Sequence, residues 1–186
     1  STRVINLQSF YSWMLRWKRR LRLTRRAVRH CDDFCLCVNI GKKGHVIAES
    51  PDERYTIFQY NIYGGGKAGV MFEEGYIESQ AGVLMDLRPH VHKKVIFEAT
   101  EDFFTIGFNT LDKDQNWEGR LVKENETTLD LDYIRELKKE TFLVCFDGKP
   151  IVNKKQMKRY DYARIDLSKD YDITLNNGAL GLFFKN

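Results

Sequence analysis

Phe34, Leu36, Val38 and Ile40 occupy every second position, and the same period of two returns in short runs to the end of the chain. Successive side chains of a strand point to opposite faces, so this pattern demands half-buried β-strands. Strand-like runs follow at 46–48, 55–63, 69–72, 75–79, 82–87, 93–98 and 103–109, then at 117–122, 141–146, 150–152, 161–165, 171–175 and 179–185. Turn chemistry separates them: Gly64-Gly65-Gly66, Glu73-Glu74-Gly75 and Arg88-Pro89. Asp147-Gly148 and Asn177-Gly178 are the strongest hairpin signals. One helical interruption is expected over 128–139, where Leu131, Ile134 and Leu137 share a side. Many short strands and little helix predict a mainly β chain built as an antiparallel sandwich or barrel. No internal repeat is legible.

Before these strands the character of the chain changes. Nine of its 30 basic residues and none of its 26 acidic ones fall within the first 31 positions, which leaves the remainder net negative. Leu7, Phe10, Met14, Trp17, Leu21, Thr24 and Val28 recur at spacings of three and four, the signature of one helical stripe. The expectation is a basic amphipathic helical arm over 1–31 ahead of a β-rich domain over 32–186. Arg16, Lys18, Arg19, Arg20, Arg22, Arg25, Arg26 and Arg29 would supply the anion-facing contact, with Phe10, Met14, Trp17 and Leu21 the apolar stripe. Such a helix suits a protein partner or self-assembly, a phosphate backbone, or an anionic membrane surface.

The stretch Pro89-His90-Val91-His92-Lys93-Lys94-Val95-Ile96-Phe97-Glu98, leading to Gly107, resembles the first motif of cupins. The run from Phe142 through Gly148-Lys149 to Phe184 resembles the second half of that family, so the likeness spans roughly 82–186. The resemblance implies a jelly-roll barrel and a metal held by His90, His92 and Glu98 or Glu101. The chain departs from the pattern in two ways. Five residues separate His92 from Glu98, and no histidine follows His92 to supply the second motif. The implied architecture is therefore cupin-like with an incomplete metal motif. On a strand, His90 and His92 would share a face and could ligate one ion, but Arg88, Lys93 and Lys94 oppose a cation there.

Other motifs carry less. His30, Cys31, Cys35 and Cys37 lack the paired knuckle spacing of zinc sites, and Cys35 and Cys37 read as small core residues. Tyr55, Phe58, Tyr60 and Tyr63 are expected to fill the interior of a small barrel. With three cysteines crowded together and no scaffold spacing, the chain fits a reducing cytoplasm or an intracellularly assembled particle. The preferred expectation is a non-catalytic binding or assembly module without cofactor. It would be a subunit of a larger complex, of virion or nucleoprotein type, anchored by its basic helix. The alternatives are a metal-dependent cupin-like enzyme using His90 and His92 with a divalent ion, and a nucleic-acid-binding regulator.

Overall fold

The computed structural model describes residues 24–30, 33–49, 55–70, 73–90, 93, 95–110 and 116–186. The chain divides into two compact units, with the boundary between Lys113 and Asp114. No boundary at this point is legible in the sequence.

In the first unit, the strands are β1 (Thr24–His30), β2 (Phe34–Gly41), β3 (Val46–Glu49), β4 (Tyr55–Tyr63), β5 (Gly66–Val70), β6 (Ile77–Ser79), β7 (Leu84–Asp86), β8 (Val95–Ala99) and β9 (Phe103–Thr110). They form two antiparallel sheets, ordered β1-β2-β9-β4-β7 and β3-β8-β5-β6. Set aside the extra edge strand β1, and the interleaving is that of a jelly roll. An antiparallel pair, β4 with β9, leaves one sheet and continues as the pair β5 with β8 in the other.

The second unit contains β10 (Trp117–Leu121), α1 (Asp132–Leu137), β11 (Thr141–Asp147), β12 (Ile151–Val152), β13 (Lys155–Gln156), β14 (Tyr162–Arg164), β15 (Ile173–Thr174) and β16 (Ala179–Lys185). Its sheets run β10-β16-β11-β14 and β13-β12-β15. A single bridge, Thr128 to Asp172, stands beside β15 where the first unit has β3. The strand order of the first unit is thus repeated, although no repeat is legible in the residues. Leu131 and Ile134, at and within the start of α1, pack into a cluster with Leu143, Cys145, Leu180 and Leu182.

The corners confirm the equivalence. Gly64 follows β4 with φ 75°, and Gly148 follows β11 with φ 70°. Each is fixed as glycine by a left-handed backbone and by close approach. A Cβ on Gly64 would strike the Asp102 carbonyl, and one on Gly148 would lie 2.6 Å from Gly178 Cα. In both units, then, the turn out of one strand abuts the turn into its partner. The pairing also shifts register at matching places, between Asn61 and Tyr63 and between Cys145 and Asp147. Asp147-Gly148 and Asn177-Gly178 are accordingly turns, but they join strands of different sheets instead of closing hairpins.

Residues 24–30 are a strand and not the end of a helix. They pair antiparallel with the free edge of β2, from Thr24 opposite Ile40 to His30 opposite Cys35. A ladder of hydrogen bonds to an available edge outweighs a helical period carried by only Thr24 and Val28 at this end. Arg25, Arg26 and Arg29 therefore sit on β1. The other expected arm residues, Phe10, Met14, Arg16, Trp17, Lys18, Arg19, Arg20, Leu21 and Arg22, lie outside the described residues. Among the described residues, no helix is long and apolar enough to cross a membrane.

Candidate functional site

β9 and, apart from Ile40, β2 are shielded from water on both faces, so β2 is not the half-buried strand its alternation predicts. One face carries Phe34, Leu36, Val38, Phe58, Tyr60, Ile106 and Phe108. Phe58 and Tyr60 thus lie on the side away from the second sheet and do not fill the barrel.

The opposite face looks toward the second sheet, as two contacts show. Phe103 meets Phe97 edge to face at 5.3 Å, and Asn61 Nδ2 donates to Ser79 Oγ at 3.2 Å. Apart from Phe103 and Met85, this inner face is polar or small. Reading across the strands, its rows are Cys35–Asn109–Thr56, Cys37–Gly107–Gln59–Met85 and Asn39–Thr105–Asn61. Cys35 and Cys37 share this face, with sulfurs 3.7 Å apart.

Asn39 Oδ1, Asn61 Oδ1, Thr105 Oγ1 and Asn109 Oδ1 are buried without a hydrogen-bond partner. Each buried polar atom left unpaired costs about 1–3 kcal/mol. Four together weigh against a net domain stability of only about 5–15 kcal/mol. The orientation of two amides is set from the other side. Asn61 Nδ2 also donates to the Gly64 carbonyl at 2.9 Å, and Asn109 Nδ2 to Cys37 Sγ at 3.2 Å. Their oxygens are therefore the groups left over.

Met85 leads from these rows into a cavity of about 270 Å³. Ala68, Val70, Ile77, Leu87 and Val95 give it apolar walls, while Glu73, Tyr76 and His90 bring polar groups. Glu73 pairs with Lys93 at 2.7 Å, and Lys67 stands 5.1 Å from the centre of the Tyr76 ring. His90 Nδ1 is buried without a partner.

His90 is not on a strand. Arg88–His90 form a 3-10 turn, closed by the His90 amide donating to the Leu87 carbonyl at 3.0 Å. Pro89 suits it, with φ fixed near the helical value and no N–H to place in a ladder. Asp86 holds the turn by accepting from the Arg88 amide at 3.0 Å and from its guanidinium at 2.9 and 2.8 Å. The Arg88 side-chain hydrogen bonds keep the Asp86 carboxyl below its ordinary value.

Glu98 pairs with Lys67 and alternates with Phe97, so it faces away from the cavity that His90 lines. His92 lies outside the described residues. His45 is engaged in its own turn, Nδ1 accepting from the Lys42 amide at 3.0 Å. Among the described residues, no group of three or more His, Cys, Asp or Glu side chains is placed to hold a metal ion. In the second unit, burial pushes the Cys145 thiol up to about 12, as befits a core residue.

The polar rows were missed in the sequence because alternation alone does not say which face is inside. Their signal is the coincidence of Asn39, Asn61, Thr105 and Asn109 with Gly107 at alternate positions of three strands.

Comparison with known proteins agrees with this architecture. No family model matches the chain, and no curated protein matches it in sequence. Among solved structures, HutD from Pseudomonas fluorescens is similar with a TM-score of 0.55 at 12% identity, over 81% of this chain and 77% of that one. YhaK from Escherichia coli is similar with a TM-score of 0.54 at 8% identity, over 95% and 96%. A cupin 2 conserved barrel domain protein from Leptotrichia buccalis matches with a TM-score of 0.49 at 10% identity, over 89% of each chain. The fold is a jelly roll, mainly β and antiparallel.

Proposed function

We propose that the chain is a non-catalytic binding module whose first barrel holds a small molecule against the row Asn39–Thr105–Asn61. The observation that supports this reading is the set of buried, unpaired oxygens on that inner face. A ligand that reached them would recover the hydrogen bonds the protein itself leaves unmade. Amide and alcohol groups orient a molecule well and transfer protons poorly near neutral pH, which favours holding over chemistry.

The test is thermal melting of the wild-type protein and of Asn39→Leu in the presence of fractionated small-molecule extracts. Native mass spectrometry then reads the mass of whatever is held. The expected result is a fraction that raises Tm of the wild type and not of the variant. If no fraction stabilises the wild type and its native mass equals that of the chain alone, the proposal is wrong.

A further inference from the structure

We infer that the molecule held in the first barrel is neutral and presents several hydrogen-bond donors, as a polyol or a urea does. The inference rests on the small-molecule reading above and adds the chemical class. Three of the four unpaired atoms are amide oxygens, which only accept, and the fourth is the Thr105 hydroxyl. The amide of Asn61 donates to the Gly64 carbonyl and to Ser79 Oγ, and turning it would set its oxygen against that carbonyl and lose the first bond. An anion would meet the negative ends of these carbonyl dipoles. A full cation would be buried where the three inner rows supply no carboxylate. A neutral donor suffers neither cost.

The spacing narrows the class further. Asn39, Thr105 and Asn61 stand opposite one another on three neighbouring strands, so their oxygens repeat at about the 4.8 Å strand separation. A matching ligand carries donors on more than one edge. Gly107 adds no side chain between these oxygens, and a Cβ there would crowd Asn109 Oδ1 at 3.0 Å and Thr56 Cγ2 at 3.2 Å. Glycine inside a strand commonly marks such a close approach.

The test uses the full chain and three neutral probes, glucose, myo-inositol and urea. Glucuronate and glucosamine serve as an anionic and a cationic partner to glucose. Binding is followed by calorimetry and by the side-chain amide NMR signals of Asn39, Asn61 and Asn109. At least one neutral probe is expected to bind saturably and shift those signals. Glucuronate and glucosamine should bind at least about tenfold more weakly than glucose if glucose is that probe, and should leave the signals unmoved otherwise. Thr105→Val should weaken binding by about tenfold, the worth of one hydrogen bond, while raising Tm of the free protein.

Saturable binding by none of the neutral probes overturns the inference, as does charged-probe binding that shifts the same signals. A lower Tm in Thr105→Val also overturns it, because the hydroxyl would then be satisfied inside the empty barrel. These outcomes are separable from failure of the broader reading. A charged molecule lost on Thr105→Val leaves the binding module standing and removes only the class, whereas a first barrel that takes up nothing removes both.

Discussion

The two barrels share a strand order, a corner glycine and a register shift, yet their interiors are chemically opposite. Asn61 lies three residues before Gly64, and Cys145 three before Gly148. Following the registers outward, Asn39–Thr105–Asn61 in the first unit corresponds to Val122–Leu180–Cys145 in the second. One position along, Gly107 and Gln59 correspond to Leu182 and Leu143. The second row is fully apolar and packs into one cluster with α1 and the facing sheet. The fold is therefore satisfied by hydrocarbon at these positions. A polar row there is a cost that folding does not require, which makes the first barrel the place to look for function.

The comparison can be broken most forcefully from the packed side. Leu143→Ala removes a fully buried side chain from the second interior and should lower stability by about 2–5 kcal/mol in chemical denaturation. A loss well below that range would mean that the second interior is not the close-packed hydrocarbon core the contrast requires. Cys145→Asn gives the second barrel the residue of the first. It should cost about 1–3 kcal/mol, since the amide nitrogen can turn to the Asp147 and Gly148 carbonyls that the thiol already faces, but the amide oxygen is left unpaired in an apolar cluster. A neutral outcome would show that either barrel tolerates the polar row.

Thr105→Val makes the reverse exchange and should raise stability, by up to about 1 kcal/mol, because it removes a buried hydroxyl without a partner. Opposite signs for these two exchanges would sharpen the contrast; equal signs would dissolve it. The smallest effect concerns the turn that carries His90. The Asp86 carboxyl is held below its ordinary 3.8 by its hydrogen bonds to Arg88. Its contribution is therefore present above pH 3.8 and lost as pH falls through the lower folded value. The His90 ring signals in NMR should lose dispersion in that acid range, and Asp86→Asn should show the loosened turn already at neutral pH.

Much of this architecture was legible. The alternating runs predict nearly every strand within a few residues, and the Leu131, Ile134 and Leu137 spacing predicts α1. The resemblance implied the jelly roll, while the repetition of its strand order was not visible, because equivalent positions such as Asn61 and Cys145 share no chemistry. Residues 24–30 were misread because helical spacing is local, whereas a strand at a sheet edge is recruited by its neighbour. The candidate site was mostly illegible. His90, expected on a strand as a metal ligand beside Glu98, instead lines the cavity from a 3-10 turn and does not share that cavity with Glu98.

The sequence by itself determined the period of the strands, the corner glycines and the sorting of Cys37, Asn39, Thr105, Gly107 and Asn109 away from Val38, Ile106 and Phe108. Those follow from backbone geometry, which acts residue by residue. Only the tertiary structure decided which of the two sorted faces looks into the barrel. That choice depends on what covers each side of the sheet, and period two is the same whichever face is turned inward.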